Sequence, residues 1–155
     1  MKSIVIYSFI VALLMSTVMP NQLTPSDPKS VAEALQAGSW KIYVVLFYWK
    51  LEAESQTLKD GLNTKVVTPY GDKVYYAELD CSTTDYHQVL DLFEFKDPRD
   101  NFKGRSIHID ELPMVLAVVH GVGYISHGAT SYELIAERMN ELIDYSSRKS
   151  VQRAY

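Results

Sequence analysis

The sequence predicts an α/β fold: a mixed β-sheet flanked by helices and preceded by a single N-terminal membrane helix. Three observations predict it. Between residues 30 and 145, apolar runs rich in β-branched and aromatic residues alternate with segments of helical periodicity, as in a sheet covered by helices. The densest run, residues 40–49 (WKIYVVLFYW), lacks polar alternation, which fits a central strand covered on both faces. Residues 4–19 (IVIYSFIVALLMSTVM) carry no charge and stop at Pro20.

That N-terminal run reads as a membrane or targeting element. Roughly 16 residues of helix reach ~24 Å, short of the ~30 Å hydrocarbon core unless the ends or local thinning make up the difference. The length also suits a signal-peptide core, but Ser16-Thr17-Val18-Met19-Pro20 offers no small-residue cleavage site, so a retained anchor over residues 1–19 is expected. Residues 20–29 (PNQLTPSDPK) hold Pro20, Pro25 and Pro28 and read as a linker. The domain is expected to span residues 30–145.

Within it, Val31, Ala32 and Leu35 sit at helical spacing and Gly38 follows, predicting a helix over 30–37. After the strand at 40–49, Leu51, Leu58 and Leu62 mark a helix over 52–59 with Gly61 as its stop. Residues 73–79 (KVYYAEL) predict a strand, and residues 84–95, with Val89, Leu90, Leu92 and Phe93, a helix. The polar stretch 96–111, with Pro98 and Gly104, is long for a connection and reads as a functional or docking loop. Residues 114–119 and 123–127 form a hairpin around His120-Gly121-Val122. A last helix begins at Ser131 in a capping-type Ser131-Tyr132-Glu133-Leu134 and runs to Tyr145, with Leu134, Ile135, Met139, Leu142 and Ile143 facing the sheet. The polar, basic residues 146–155 read as a flexible or partner-bound tail.

Composition narrows the function classes. The chain has 155 residues, 47% hydrophobic and 22% charged, which suits one domain with a core. A net charge of −4, with no basic cluster interleaved with aromatics, argues against nucleic acid. Cys81 is the only cysteine, so no disulfide forms within the chain. No Asn-x-Ser/Thr site follows Asn21, Asn63, Asn101 or Asn140, which gives the secretory route no support.

Three local features carry a resemblance to the thioredoxin-like fold family over residues 30–145. Val44-Val45-Leu46-Phe47-Tyr48-Trp49 followed by a helix resembles the family's central strand, which delivers the active site to a helix N-terminus. Glu78-Leu79-Asp80-Cys81-Ser82 resembles the end of the next strand in disulfide-isomerase-like members. Glu111-Leu112-Pro113-Met114 resembles the site of the family's cis-proline, with Gly121 and Gly128 where the hairpin turns and the last helix begins. The resemblance implies that Pro113 is that cis-proline and that Glu52 and Ser55 stand at the two cysteine positions of Cys-x-x-Cys. Dithiol exchange needs a thiolate and a resolving thiol, and Glu52-Ala53-Glu54-Ser55 supplies neither. Leu46 also occupies the place of the family's buried acid. A redox-inactive member is therefore expected.

Other chemistry finds little support. Glu52 and Glu54 are placed where a helix dipole stabilises acids, by about 0.3–1 kcal/mol each. Cys81 reads as a buried, inert thiol more readily than as a reactive or lipidated one. His120 and His127 across the hairpin would lack a third metal ligand. Tyr43, Tyr48, Tyr75 and Tyr76 read as core or partner-facing packing. No Gly-rich phosphate loop or nucleophile elbow is present, so no catalytic residue, cofactor, metal or small-molecule substrate is expected. The expectation is a non-catalytic accessory subunit of a membrane complex, partnered by other subunits and by lipid through residues 4–19, with the mitochondrial inner membrane and its respiratory chain as the favoured setting. The alternative is a redox-inactive, disulfide-isomerase-like client-binding domain of the secretory pathway, in the endoplasmic reticulum. An enzyme relying on Cys81 alone comes third.

Overall fold

A computed structural model describes residues 21–22, 28–36, 40–50, 52–82, 86, 95–100, 104–105 and 111–152. The predicted membrane helix and most of the predicted helix at 84–95 lie outside these residues. Among the described residues no helix is long and apolar enough to cross a membrane.

The strands are β1 (Asn21–Gln22), β2 (Ile42–Tyr48), β3 (Val74–Asp80), β4 (Phe95–Lys96), β5 (Gly104–Arg105), β6 (Met114–Val119) and β7 (Val122–His127). They form one mixed sheet in the order β1-β3-β2-β6-β7-β4-β5. The central β2 pairs in parallel with β3, Leu46 opposite Glu78, and antiparallel with β6, Phe47 opposite Met114. Every residue from Ile42 to Phe47 is buried, because successive side chains enter cores on opposite faces. Tyr43, Val45 and Phe47 pack with Val31 and Leu35 of helix α1 (Pro28–Gln36), along with Leu79, Cys81 and Leu116. Val44 and Leu46 pack with Leu58 and Leu62 of α2 (Ala53–Leu62) and with Ile135, Met139 and Leu142 of α3 (Ser131–Gln152).

Several expectations are revised. Within the expected linker at 20–29, Asn21 and Gln22 pair with Tyr75 and Tyr76 of β3, and α1 already begins at Pro28. Gly61 does not stop α2, which runs to Leu62 and continues as a π-helical segment, Asn63–Val67, then a turn at Thr68–Tyr70 and a 3-10 turn at Gly71–Lys73. Pro69 has no N–H to donate, so the regular ladder cannot pass through it, and the widened segment precedes it. Gly61 instead permits close approach of two helices, since a Cβ there would collide with the ring of Tyr132.

Phe95, expected to end a helix, is a fully buried strand residue. The described part of the stretch 96–111 is structural, with Lys96 paired to Val122 and Gly104. Asp97, 2% exposed, accepts bonds from the Arg99 guanidinium at 3.0 and 2.5 Å, and Arg99 also donates to the Ile125 carbonyl at 3.0 Å. The hairpin turns on two residues, His120 (φ 52°) and Gly121 (φ 72°), both left-handed as a type I′ turn requires. Helix α3 passes Tyr145 and reaches Gln152, so residues 146–152 are helical and not a loose tail. The Ser131 hydroxyl donates to the Gly128 carbonyl at 2.6 Å instead of receiving a helix N–H.

Candidate functional site: the start of helix α2 and the proline loop

Parallel β2 and β3 end side by side, and the chain leaves β2 through Trp49 and Lys50 into α2. Lys50 holds the left-handed conformation (φ 58°), uncommon for a residue with a side chain. Its N–H donates to Asp80 Oδ1 at 3.3 Å, and the N–H and hydroxyl of Ser82 donate to the same oxygen at 2.9 and 2.6 Å. Desolvation opposes ionisation of Asp80, but these bonds outweigh it and hold the carboxyl below its ordinary value. The end of β3 thereby fixes the turn that launches α2.

Glu52 is the extended residue before α2 (φ −85°, ψ 171°); its side chain is exposed and makes no capping bond. Ser55 is 3% exposed and shares the buried stripe of α2 with Leu58 and Leu62. The two positions of the expected redox pair thus hold an exposed carboxylate and a buried hydroxyl. Glu54 reaches across to the last loop, its Oε1 accepting the Ala129 N–H at 3.2 Å. Beside it, the Gly128 N–H donates to the Pro113 carbonyl at 2.8 Å, and the Leu112–Pro113 peptide is cis. His127 Nδ1 lies 3.1 Å from the Glu111 carbonyl, and its Nε2 lies 3.7 Å from Glu111 Oε2. The start of α2, the proline loop and the end of β7 are therefore stitched into one surface. Trp49, 47% exposed, is the one large apolar side chain that protrudes among the described residues.

Behind this surface Leu46 is fully buried, and the carboxylate nearest in register comes from the neighbouring strand. Glu78 Oε2 accepts Lys59 Nζ at 2.7 Å. That bond raises the Lys59 pKa, while burial, helped by Asp80 and Glu78, raises that of Tyr48. Sequence reading missed this pair: Glu78, like Asp80, is an acid in the mostly apolar strand VYYAELD, and nothing local joins it to Lys59.

Cys81 lies on the other side of the sheet, with Phe47, Leu79 and Met114. It is 2% exposed, and burial followed by the Asp80 charge pushes its thiol up to about 11. A thiol so held is almost wholly protonated at neutral pH and a poor nucleophile.

The two hairpin histidines do not face one another. His120 sits in the turn, stacked on Trp40 at 4.3 Å, while His127 pairs with Met114 at the opposite end. Among the described residues no group of three His, Cys, Asp or Glu could hold a metal ion. Tyr43 and Tyr76 are core residues. A cleft of about 190 Å³, lined by Pro98, Val122, Tyr124, Glu141, Leu142 and Tyr145, is smaller than ordinary small-molecule sites of ~300 Å³ or more.

No protein-family model matches the chain, and no curated protein matches it. Solved structures do. A thioredoxin from Trypanosoma brucei brucei superposes with a TM-score of 0.53 at 9% identity, covering 84% of this chain and 96% of that one. Thioredoxin f from spinach chloroplast, in its long form, gives 0.54 at 12% identity over 81% of this chain and 88% of its own. A Malassezia sympodialis thioredoxin gives 0.50 at 18% identity over 83% and 95%. The chain has a thioredoxin-like fold. Likeness at these identities concerns the fold alone, so the activity must be argued from the chain's own residues.

Proposed function

We propose that this is a redox-inactive, thioredoxin-like binding module: a non-catalytic accessory subunit held in a multi-subunit membrane complex. One observation carries the reading. Where the fold would present two thiols at the start of α2, the chain presents exposed Glu52 and buried Ser55, and its single cysteine is buried on the opposite face of the sheet. Removing sulfur leaves shape, the protruding Trp49 and the charged rim of Lys50, Glu52 and Glu54 as what this surface offers a partner. The charge-free run at 4–19 supplies the membrane attachment in this reading. The mitochondrial inner membrane, with a respiratory-chain assembly as host, is the favoured setting because it requires neither glycans nor disulfides. Purification of the full-length chain in mild detergent tests the proposal. Stoichiometric co-purifying subunits are expected, and a monodisperse monomer would contradict it.

A second reading is favoured by Trp49, whose exposed ring suits transient apolar contacts. In it the domain is a disulfide-isomerase-like holder of unfolded clients in the endoplasmic reticulum. Sequencing the mature N-terminus separates the two: loss of the residues before about Asn21 marks a removed signal peptide and favours the second.

A further inference from the structure

The two ends of the sheet differ in chemistry and in their relation to the N-terminal run. β2 and β3 run in parallel from the end that holds Trp40, Lys41 and Lys73 to the end that holds Trp49, Lys50 and Asp80. β1 joins at the first end, Asn21 pairing with Tyr75 one residue into β3. The apolar run closes at Met19, so at most ~7 Å of extended chain separates it from a residue fixed in the sheet. An anchor on so short a tether cannot leave the orientation of the domain free.

The same end gathers exposed cations. Lys41, Lys73 and Arg148 are all exposed there, and Lys41 also lies over the Tyr75 ring at 4.4 Å. α3 reaches this end as well, because the Ser146 hydroxyl donates to the Trp40 carbonyl at 2.6 Å. The helix continues to Gln152 and carries Arg148. Asp72 and Asp144 are the exposed acids of this end, and His120 is its titratable turn residue. Trp40 and Tyr145, with ring centroids 5.9 Å apart, are partly buried and pack against the core at this end. At the far end the balance reverses: Glu52, Glu54, Asp80 and Glu111 outnumber Lys50. Cations within a Debye length of anionic lipid are attracted to it, and acids are repelled.

We propose that the end bearing Trp40, Lys41, Lys73 and Arg148 is a docking surface for an anionic bilayer, which holds the domain upright and turns the α2–proline-loop surface toward the aqueous phase. The inference rests on residues 4–19 being a membrane anchor. The chain's two tryptophans, Trp40 and Trp49, mark opposite ends. The full-length chain is reconstituted into phosphatidylcholine–phosphatidylglycerol vesicles carrying dansyl-labelled phosphatidylethanolamine. Tryptophan-to-dansyl energy transfer is then compared between the unmodified chain and Trp49→Phe, in which Trp40 alone reports. The seven residues of β2 and the short extensions at its ends place Trp40 and Trp49 up to ~30 Å apart along the chain, so mean transfer efficiency is expected to rise about twofold in the variant. Replacing Lys41, Lys73 and Arg148 together by Glu is expected to lower that transfer while the chain still floats with the vesicles. Equal or lower transfer in Trp49→Phe from floating chain overturns the orientation and leaves the anchor standing. Transfer unchanged by the charge reversal overturns the role of anionic lipid. A chain that does not float with the vesicles overturns both the docking surface and the anchor.

Discussion

Burial, more than residue type, sets what the side chains near the strand–helix junction can do. Cys81 has the ordinary thiol among its possibilities, but its place between Leu79 and Phe47 removes water and raises its pKa from 9.0 to about 11. At pH 8 the folded thiol should therefore react with a soluble alkylating reagent at least about 100-fold more slowly than in urea, since only the thiolate attacks. Mass-spectrometric labelling in the two states measures this, and equal rates would mean the thiol is accessible. The same shift fixes a sign in pH dependence. A folded pKa above the unfolded one contributes stability that is complete below pH 9 and is lost as pH rises through about 11. Urea unfolding across that range should show the decline, with this part of it missing in Cys81→Ala. At this scale the sequence was informative about thiols and poor about partners. That neither Glu52 nor Ser55 bears sulfur is plain from the residues, whereas the Glu54–Ala129, Lys59–Glu78 and Arg99–Ile125 contacts depend on which elements meet.

The elements fall into those whose own pattern defines them and those defined by neighbours. β2, β3, β6 and α2 were legible because dense apolar runs or a helical stripe must bury themselves. The two-residue strands β1, β4 and β5 are too short for any periodicity and exist through pairing alone. The end of α3 was illegible for a related reason: the run Ser146-Ser147-Arg148-Lys149-Ser150 has no apolar residue and so shows no stripe. Gly61 shows how a local signal is overridden by packing. Helix propensity alone predicts that Gly61→Ala stabilises by ~1 kcal/mol. The ring of Tyr132 occupies the space a methyl needs, so the substitution should instead cost about 1–3 kcal/mol. Chemical denaturation checks the sign. Much of the loss should be restored in a Tyr132→Ala background, because the two changes share one contact. A stabilised Gly61→Ala would show that α2 and α3 do not meet as described.

Across the whole molecule, one mixed sheet divides two cores and gives the domain distinct ends. The fold class was readable because the order of strands and helices, the proline before the hairpin and the aromatic central strand all agree with a thioredoxin-like sheet. The distribution of charge was not. A net −4 is a sum over the chain, and only the topology brings Lys41, Lys73 and Arg148 to one end and Glu52, Glu54 and Asp80 to the other. The supposed linker hid the same fact, since pairing of Asn21 to β3 ties the apolar run to the cationic end. The central claim is that this domain binds without exchanging thiols. It is tested most directly by dithiothreitol-driven reduction of insulin with the purified chain. The account predicts turbidity developing at the rate of dithiothreitol alone, and acceleration that depends on the protein would contradict it.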